Sequence, residues 1–574
     1  MAKPISGKSH IGIRREKRPN GDIYVYERVT AYDPKTKKTR TIEEHMKGKI
    51  ISGTQEIVPT RRKRPKGEAA TSTLRIHTGT TDILEWAGRE SGIDRDIRSS
   101  FREGDAEKIL SIARYWVATD GNTLPRLESY QNMHNLPYRQ GISEDVYSEL
   151  FKSVGCNETG IQQYFSHRAA RLDKNPVIAL DSTTISTYST NQLEARHGFN
   201  KDGDGLGTIK QVTLYSVKDQ EPIAFAKQPG NIPDVISVEN AISQVKCLGM
   251  ERPLIVTDAG YRSEDNLSAY VRKNMKFLTV MDAGSLWIRD IIDDVTEKLK
   301  SLSAICPFDS SIRGVGSMVM HTFSHKRERT RGGIAAGELE ELSRRLYVGI
   351  FHSPERGLQR EFEFTKNLLE LKRQIESGRT EFTQVAEKKI ELYLIKSHMG
   401  RGGKLNVSFN DAAIQKAMKH FGYFALVSNQ ALEPFTALEY YRLREKIEEL
   451  FADQKGAFDS RKPRVWYPDN LRGRQLVQFV GLGYHCFIMK KIKEVQNMLG
   501  KDSELKTQKQ LKLERKLLKW LENHSFAQIM DWFDCLETTS VTTETVKARW
   551  STETTEQDRL FLTMLGVRKE SCTH

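Results

Sequence analysis

Between Thr81 and Ala170 apolar residues recur at three- and four-residue steps, as in Ile83, Leu84 and Trp86 and again in Ile109, Leu110, Ile112, Ala113 and Trp116. That spacing lines one face of successive helices and predicts a helical region. Beyond it the period changes. Pro176 to Leu180 is a short apolar run, Gln211 to Val217 and Pro222 to Gln228 read as a hairpin, and Pro253 to Thr257 repeats the first pattern. Phe277 to Met281 reads as a fifth strand, with helical stretches at Val238 to Val245 and Ser263 to Arg272. The resulting order, βββαβαβ, predicts a mixed α/β sheet.

The stretch 283–430 mixes helical segments (Phe362 to Ser377, Val385 to Lys396) with β-like ones (Leu346 to His352, Lys404 to Phe409, Tyr423 to Val427). It is too long for a loop and is expected to be an inserted subdomain. A helical run from Thr436 to Gln454 follows, then an apolar helix near Leu476 to Leu499 and a basic amphipathic one near Gln508 to Leu521. The expected divisions are 1–70, a basic β-containing module with a linker, and 71–172, a helical region with a DNA-binding role. A core split into 173–282 and 431–500 surrounds the insertion, and 501–574 is a helical C-terminal region.

Composition changes this picture in one respect. The chain of 574 residues carries a formal net charge of +14, with 38% hydrophobic and 29% charged residues. Such an excess of Lys and Arg favours a polyanionic partner, because each cation set on a phosphate releases condensed counterions. The run Arg61, Arg62, Lys63, Arg64, Pro65, Lys66 is read as part of that electrostatic footprint. No apolar run is long enough to span a bilayer, so a soluble, unexported protein is expected. The six cysteines, Cys156, Cys247, Cys306, Cys486, Cys535 and Cys572, are scattered without a metal-ligand spacing and are read as reduced thiols.

The candidate chemistry lies in carboxylates. Asp181 follows Val177 to Leu180, and Asp258 follows Leu254 to Thr257, so both are expected at the carboxyl ends of strands, where α/β sheets carry their sites. Taken singly, either is an ordinary turn or capping residue. A third acid stands in the row Tyr441, Arg444, Glu448 and Lys455. At about 100° per residue these four fall within an arc of about 60°, opposite Leu443, Ile447 and Leu450. By spacing alone the row also suits a solvated helix face with weak ion pairs.

Taken together, DSTT at Asp181, TDAGY at Thr257 and the row ending in Lys455 resemble the DDE transposases of bacterial insertion sequences, specifically the insertion-sequence-four group with its YREK signature. The stretch from His197 to Asp234, with its Gly-Asn-x2-Asp turn, is similar to that family's second and third strands. The resemblance covers roughly residues 175–490 and implies a ribonuclease-H-like catalytic core. It also implies a DDE triad of Asp181, Asp258 and Glu448 holding two divalent ions, Mg²⁺ or Mn²⁺, with Tyr441, Arg444 and Lys455 on DNA phosphates. Two hard cations clamp the attacking and leaving oxygens of a phosphodiester, and carboxylates are their natural ligands.

The implied activity is cleavage at transposon ends and strand transfer into target DNA, with double-stranded DNA as partner, a homodimer in the DNA complex, and a cytoplasmic, nucleoid-associated location. Two other readings share these residues: a DNA-binding protein derived from a transposase but lacking catalysis, and a nuclease of the same fold without strand transfer. In some relatives an insertion Trp takes up a flipped base, and Trp287 is the only tryptophan between Asp258 and Glu448, though a core role is the ordinary one. Asn200, Asp202, Asp204 and Gly205 mimic the start of a calcium loop, but Gln211 stands where a bidentate Glu is required, so a turn is expected.

Overall fold

The computed structural model describes residues 9–33, 36–58, 72–121, 123–198, 200, 202–250, 252–326, 337–398, 405–456, 463, 465–501, 506–543 and 547–567. The basic run 61–66 and Cys572 lie outside these residues. The chain divides into two compact units, residues 1–74 with 540–549, and residues 75–539 with 550–574.

The first unit carries a four-stranded antiparallel sheet of β1 (Ser9–Lys17), β2 (Ile23–Asp33), β3 (Lys38–Ile50) and β4 (Ile57–Val58), in that order. The sheet's alternation is hidden because charged residues occupy both faces, leaving only Val25 and Ala31 buried on β2. Arg14 and Arg18 lie over the rings of Tyr26 and Tyr24.

Past β5 (Ser72–His77), whose last three residues open the second unit, come α1 (Gly79–Ser91), α2 (Ile93–Ser100), α3 (Glu103–Ala118), α4 (Leu127–Gln131), α5 (Glu144–Cys156) and α6 (Glu158–Ala169). The periodic residues found in the sequence, including Ile83, Ile109, Ile112 and Trp116, are buried as the pattern requires. Gly92 ends α1 in a left-handed conformation, φ 74°, and its N–H caps Arg89 O, which lets α2 start at once.

A nine-stranded sheet forms the centre: β6 (Val177–Thr187), β7 (Gly207–Ser216), β8 (Glu221–Pro229), β9 (Leu254–Thr257), β10 (Lys276–Met281), β11 (Ile305–Cys306), β12 (Asp309–Lys326), β13 (Leu339–His352) and β16 (Tyr423–Ser428). The pair β14 (Leu394–His398) and β15 (Leu405–Phe409) makes a separate hairpin. The order across the large sheet is β11-β12-β13-β16-β10-β9-β6-β7-β8. Here β6 runs parallel to β9 and β9 parallel to β10, while the other pairings are antiparallel. All of β6 and β9 is buried, which accounts for their unbroken apolar runs. The helices α7 (Asp234–Cys247) and α8 (Glu264–Arg272) connect β8 to β9 and β9 to β10, as the period change predicts.

Residues 283–430 supply α9 (Leu286–Leu299), β11 to β13, α10 (Pro354–Glu376), α11 (Gln384–Tyr393), the β14–β15 hairpin, α12 (Asp411–Met418) and β16. Four of these strands extend the central sheet beyond β10. A small second core of Leu371, Ile375, Ile390, Leu394 and Val407 lies under the hairpin. The helix expected to reach Lys396 stops at Tyr393, because the chain from Leu394 pairs with β15 instead.

The helical run expected from Thr436 to Gln454 is two helices, α13 (Pro434–Leu443) and α14 (Lys446–Lys455). The ladder tightens at the junction: Ile447 N–H donates to Arg444 O at 2.9 Å and Glu448 N–H to Glu445 O at 3.0 Å, three-residue steps in place of four. α13 packs on β12 and β13, whereas α14 packs on β6 and on the long α15 (Pro468–Met498), so each half follows its own support. α15 also lies tightly on α5. A Cβ at Gly155 would fall 1.8 Å from Asp469 O, and one at Gly473 1.9 Å from Phe151 O, so only glycine permits this approach. Helices α16 (Gln508–Asn523), α17 (Phe526–Asp534) and α18 (Glu556–Leu565) complete the unit. No helix among the described residues is long and apolar enough to cross a membrane.

Candidate active site

Parallel pairing of β6 with β9 matches Leu180 to Thr257, so the next residues, Asp181 and Asp258, start from neighbouring positions on adjacent strands. Their surroundings differ. β9 stops at Thr257, and Asp258 caps a single turn, Ala259–Tyr261, accepting from Gly260 N–H at 2.8 Å. Asp181 was expected to end its strand, yet β6 runs on to Thr187, because beyond Leu180 it keeps its antiparallel partner β7 and pairs Asp181 with Thr213. The departure of β9 therefore leaves Asp181 at the point where one side of β6 loses its neighbour. Asp181 Oδ1 accepts from Ser182 N–H at 2.7 Å, which fixes the carboxylate.

The second half of the site comes from the α13–α14 junction. Arg444 Nη1 lies 3.4 Å from Asp181 Oδ2, and Nη2 donates to Glu448 Oε1 at 3.1 Å. The Arg444 and Asp181 side chains are only 6% and 8% exposed, while Glu448 is 61% exposed. The Arg444 guanidinium also lies 5.4 Å from the centre of the Tyr441 ring. Burial works against the charge on Arg444, but Tyr441, Asp181, Asp258 and Glu448 outweigh it and raise its affinity for the proton. The Tyr441 phenol is pushed up, chiefly by burial, against the opposing pull of Arg444. Arg444 Nε is buried without a hydrogen-bond partner among the described residues.

Asp181, Asp258, Tyr441, Arg444 and Glu448 thus gather in one place, but Lys455 does not join the same contacts. Its Nζ lies 3.4 Å from both carboxylate oxygens of Asp202. Asp202 belongs to the turn that imitates a calcium loop, where Asn200 and Asp204 bond to one another and to the backbone at Asp202 and Leu206, as a turn should. The sequence placed Asp202 only in that turn, since nothing local marks a partner 253 residues away. Sequence reasoning also missed a buried amide cluster beneath the site. Gln454 Nε2 donates to Gln211 Oε1 at 3.0 Å, Gln475 Nε2 donates to the same oxygen at 3.2 Å, and Gln211 Nε2 donates back to Gln454 Oε1 at 3.2 Å. These bonds tie α14 and α15 to β7. Trp287 packs at the edge of the core, its ring centre 4.8 Å from that of His321.

Three carboxylates around one buried guanidinium form a donor set of hard oxygens in a place already arranged for positive charge. That chemistry suits Mg²⁺ or Mn²⁺.

No curated protein matches the chain. Among solved structures, a piggyBac transposase synaptic complex with hairpin DNA is similar to it at 9% identity, over 79% of this chain and 78% of that one, with a TM-score of 0.32, too low to support an argument. The family model described as the transposase DDE domain matches residues 173–469, more than half of the sequence and a span containing all three acids. On that match the chain belongs to the DDE transposase family.

Proposed function

We propose that the protein is a DNA transposase of the insertion-sequence-four group with the YREK signature, cutting and rejoining DNA at a site built from Asp181, Asp258 and Glu448. The observation that carries the reading is the junction of the two halves: paired Leu180 and Thr257 set Asp181 and Asp258 next to each other, one on β6 and one just past the end of β9, and Arg444 joins Asp181 to Glu448. The order β8-β7-β6-β9-β10, with only β6, β9 and β10 parallel, supports a ribonuclease-H-like core.

In this reading Asp181, Asp258 and Glu448 would hold two divalent ions, which when bound would supply Lewis-acid stabilisation to the oxygens exchanged at phosphorus. Water attacks phosphorus at a transposon end and the P–O bond to the 3′ oxygen breaks, that oxygen leaving as a 3′ hydroxyl; this hydroxyl later attacks a target phosphodiester, losing its proton as the target's own P–O3′ bond breaks and the target 3′ oxygen leaves as a hydroxyl. The protein's own groups orient this chemistry. The Ser182 and Gly260 N–H groups hold Asp181 and Asp258 in place. Arg444 pairs with Asp181 within a buried setting, and its unpaired Nε is a donor for a phosphate oxygen. Tyr441 and Lys455 provide further phosphate contacts from the same two helices. The partner is double-stranded DNA, with a homodimer pairing two ends in a nucleoid-associated, cytoplasmic setting; the excess of basic residues supports binding dispersed over many phosphates.

The test is product analysis on labelled DNA carrying the inverted repeats that flank the gene, with Mg²⁺ or Mn²⁺. End cleavage followed by joined products, both lost in Asp181→Ala and Glu448→Ala, is the expected result. Cleavage without joining would indicate a nuclease, and end binding without cleavage a non-catalytic DNA-binding protein.

A further inference from the structure

Away from the carboxylate site, His77, His134 and Asp534 converge from positions far apart in the sequence, with one potential ligand atom of each within 4.8 Å of the others. His77 ends β5, His134 lies in the segment after α4, and Asp534 ends α17; His77 N–H donates to Met133 O at 2.9 Å, which sets the two histidines side by side.

The hydrogen bonds around this cluster present a proton problem. His134 Nδ1 is 2.9 Å from Tyr130 O, a carbonyl that can only accept, so Nδ1 carries a hydrogen. In the neutral ring Nε2 then bears a lone pair, yet it lies 2.7 Å from Asp534 Oδ1. His77 Nδ1 is 2.6 Å from Asp534 O and 3.4 Å from Asp534 Oδ2, while its Nε2 lies 3.7 Å from Glu537 Oε1, a carboxylate that Arg75 also pairs. The Asp534 carboxylate thus faces both rings, 2.7 Å from His134 Nε2 and 3.4 Å from His77 Nδ1, an arrangement that one cation shared by the cluster would satisfy. The surroundings match what a metal-bound histidine needs, since each ring's other N–H is fixed by a backbone carbonyl. Thr80 Oγ1 donates to Asp534 Oδ1 at 2.6 Å and orients the carboxylate in the same manner. His134 is buried and stacks on Tyr130, ring centres 3.5 Å apart, so its direction is set by packing.

We infer that His77, His134 and Asp534 form a binding site for a borderline transition-metal ion of the Zn²⁺ class, with Glu537 beside it as a further carboxylate. Two imidazoles and a carboxylate are an established donor set for zinc, whereas Mg²⁺ favours oxygen alone. Ligand atoms about 2 Å from zinc lie a little over 3 Å apart, so binding draws the three side chains together. The ion would join the start of the helical region to the end of α17, a structural role separate from the DDE acids.

The full-length protein, freed of metal by chelation and dialysis, is titrated with Zn²⁺ by calorimetry and with Co²⁺ by visible absorption. The expected result is one equivalent of Zn²⁺ bound at micromolar affinity or tighter, with a Co²⁺ spectrum of tetrahedral nitrogen–oxygen type. His134→Ala and His77→Gln should each weaken binding at least tenfold, while Asp181→Ala and a large excess of Mg²⁺ leave it unchanged. Absence of stoichiometric binding in the wild type, or binding unaltered by His77→Gln, overturns the inference. If His134→Ala fails to fold, the wild-type Co²⁺ spectrum and His77→Gln still decide.

Discussion

Arg444 lies 3.4 Å from the carboxylate of Asp181, and both side chains are almost wholly buried. A buried pair of this kind is more costly to break than it is favourable to form, because the survivor keeps its charge without compensation. Arg444→Ala should destabilise the protein by about 3 kcal/mol in urea unfolding. Glu448→Gln, which changes the exposed end of the same network, should alter stability by less than about 1 kcal/mol while abolishing cleavage. Equal stability losses in the two variants would contradict this division.

The amide cluster beneath the site predicts a different outcome. Gln211→Leu removes the acceptor shared by Gln454 and Gln475 and leaves two buried amides unpaired. A loss of about 2 kcal/mol or more is expected. Because Gln454 belongs to α14, cleavage should fall as well, with DNA binding retained. A variant with wild-type stability and activity would show that these bonds do not position the helix.

Lys455 is held by Asp202 and is expected to act on DNA, not on the chemistry. Lys455→Ala should weaken binding to transposon-end DNA and reduce the slope of log affinity against log salt by about 0.9, the value for one phosphate contact. Binding titrations at several salt concentrations measure this directly. An unchanged slope would remove Lys455 from the DNA interface.

α13 is anchored to β12 by Arg442 and Asp309. The Ser311 hydroxyl, followed by Arg442, holds the Asp309 carboxyl down to about 2, from an ordinary 3.8. The native state favours the carboxylate, so the contribution is complete above the ordinary value and fades as pH falls through about 2. Wild type should therefore be more stable than Asp309→Asn at neutral pH, with the difference shrinking as the solution is acidified from pH 4 toward 2. A difference independent of pH over that range would contradict the ion pair.

Much of this organisation was legible along the chain, and the exceptions have physical causes. Val177 to Leu180 and Leu254 to Thr257 read as buried strands because parallel strands covered on both faces cannot alternate. The continuation of β6 through Ser182, Thr183 and Thr184 did not, since polar side chains there are buried by pairing with β7. The row from Tyr441 to Lys455 looked like one helix because its amphipathic phase is nearly continuous; the break at Arg444 is a tertiary effect of the buried pair with Asp181 and of separate supports for the two halves. Lys455 with Asp202, the three glutamines, and His77 with His134 and Asp534 are partnerships across long separations that no local period encodes.

The central claim, that Asp181 and Asp258 hold metal during DNA cleavage, is tested most directly by exchanging a hard ligand for a soft one. Asp258→Cys is assayed for end cleavage in Mg²⁺ and in Mn²⁺, because a thiolate tolerates the softer ion and disfavours the harder. The account predicts no cleavage in Mg²⁺ and restored cleavage in Mn²⁺, with wild type active in both. Cleavage by Asp258→Cys in Mg²⁺ at the wild-type rate would contradict it.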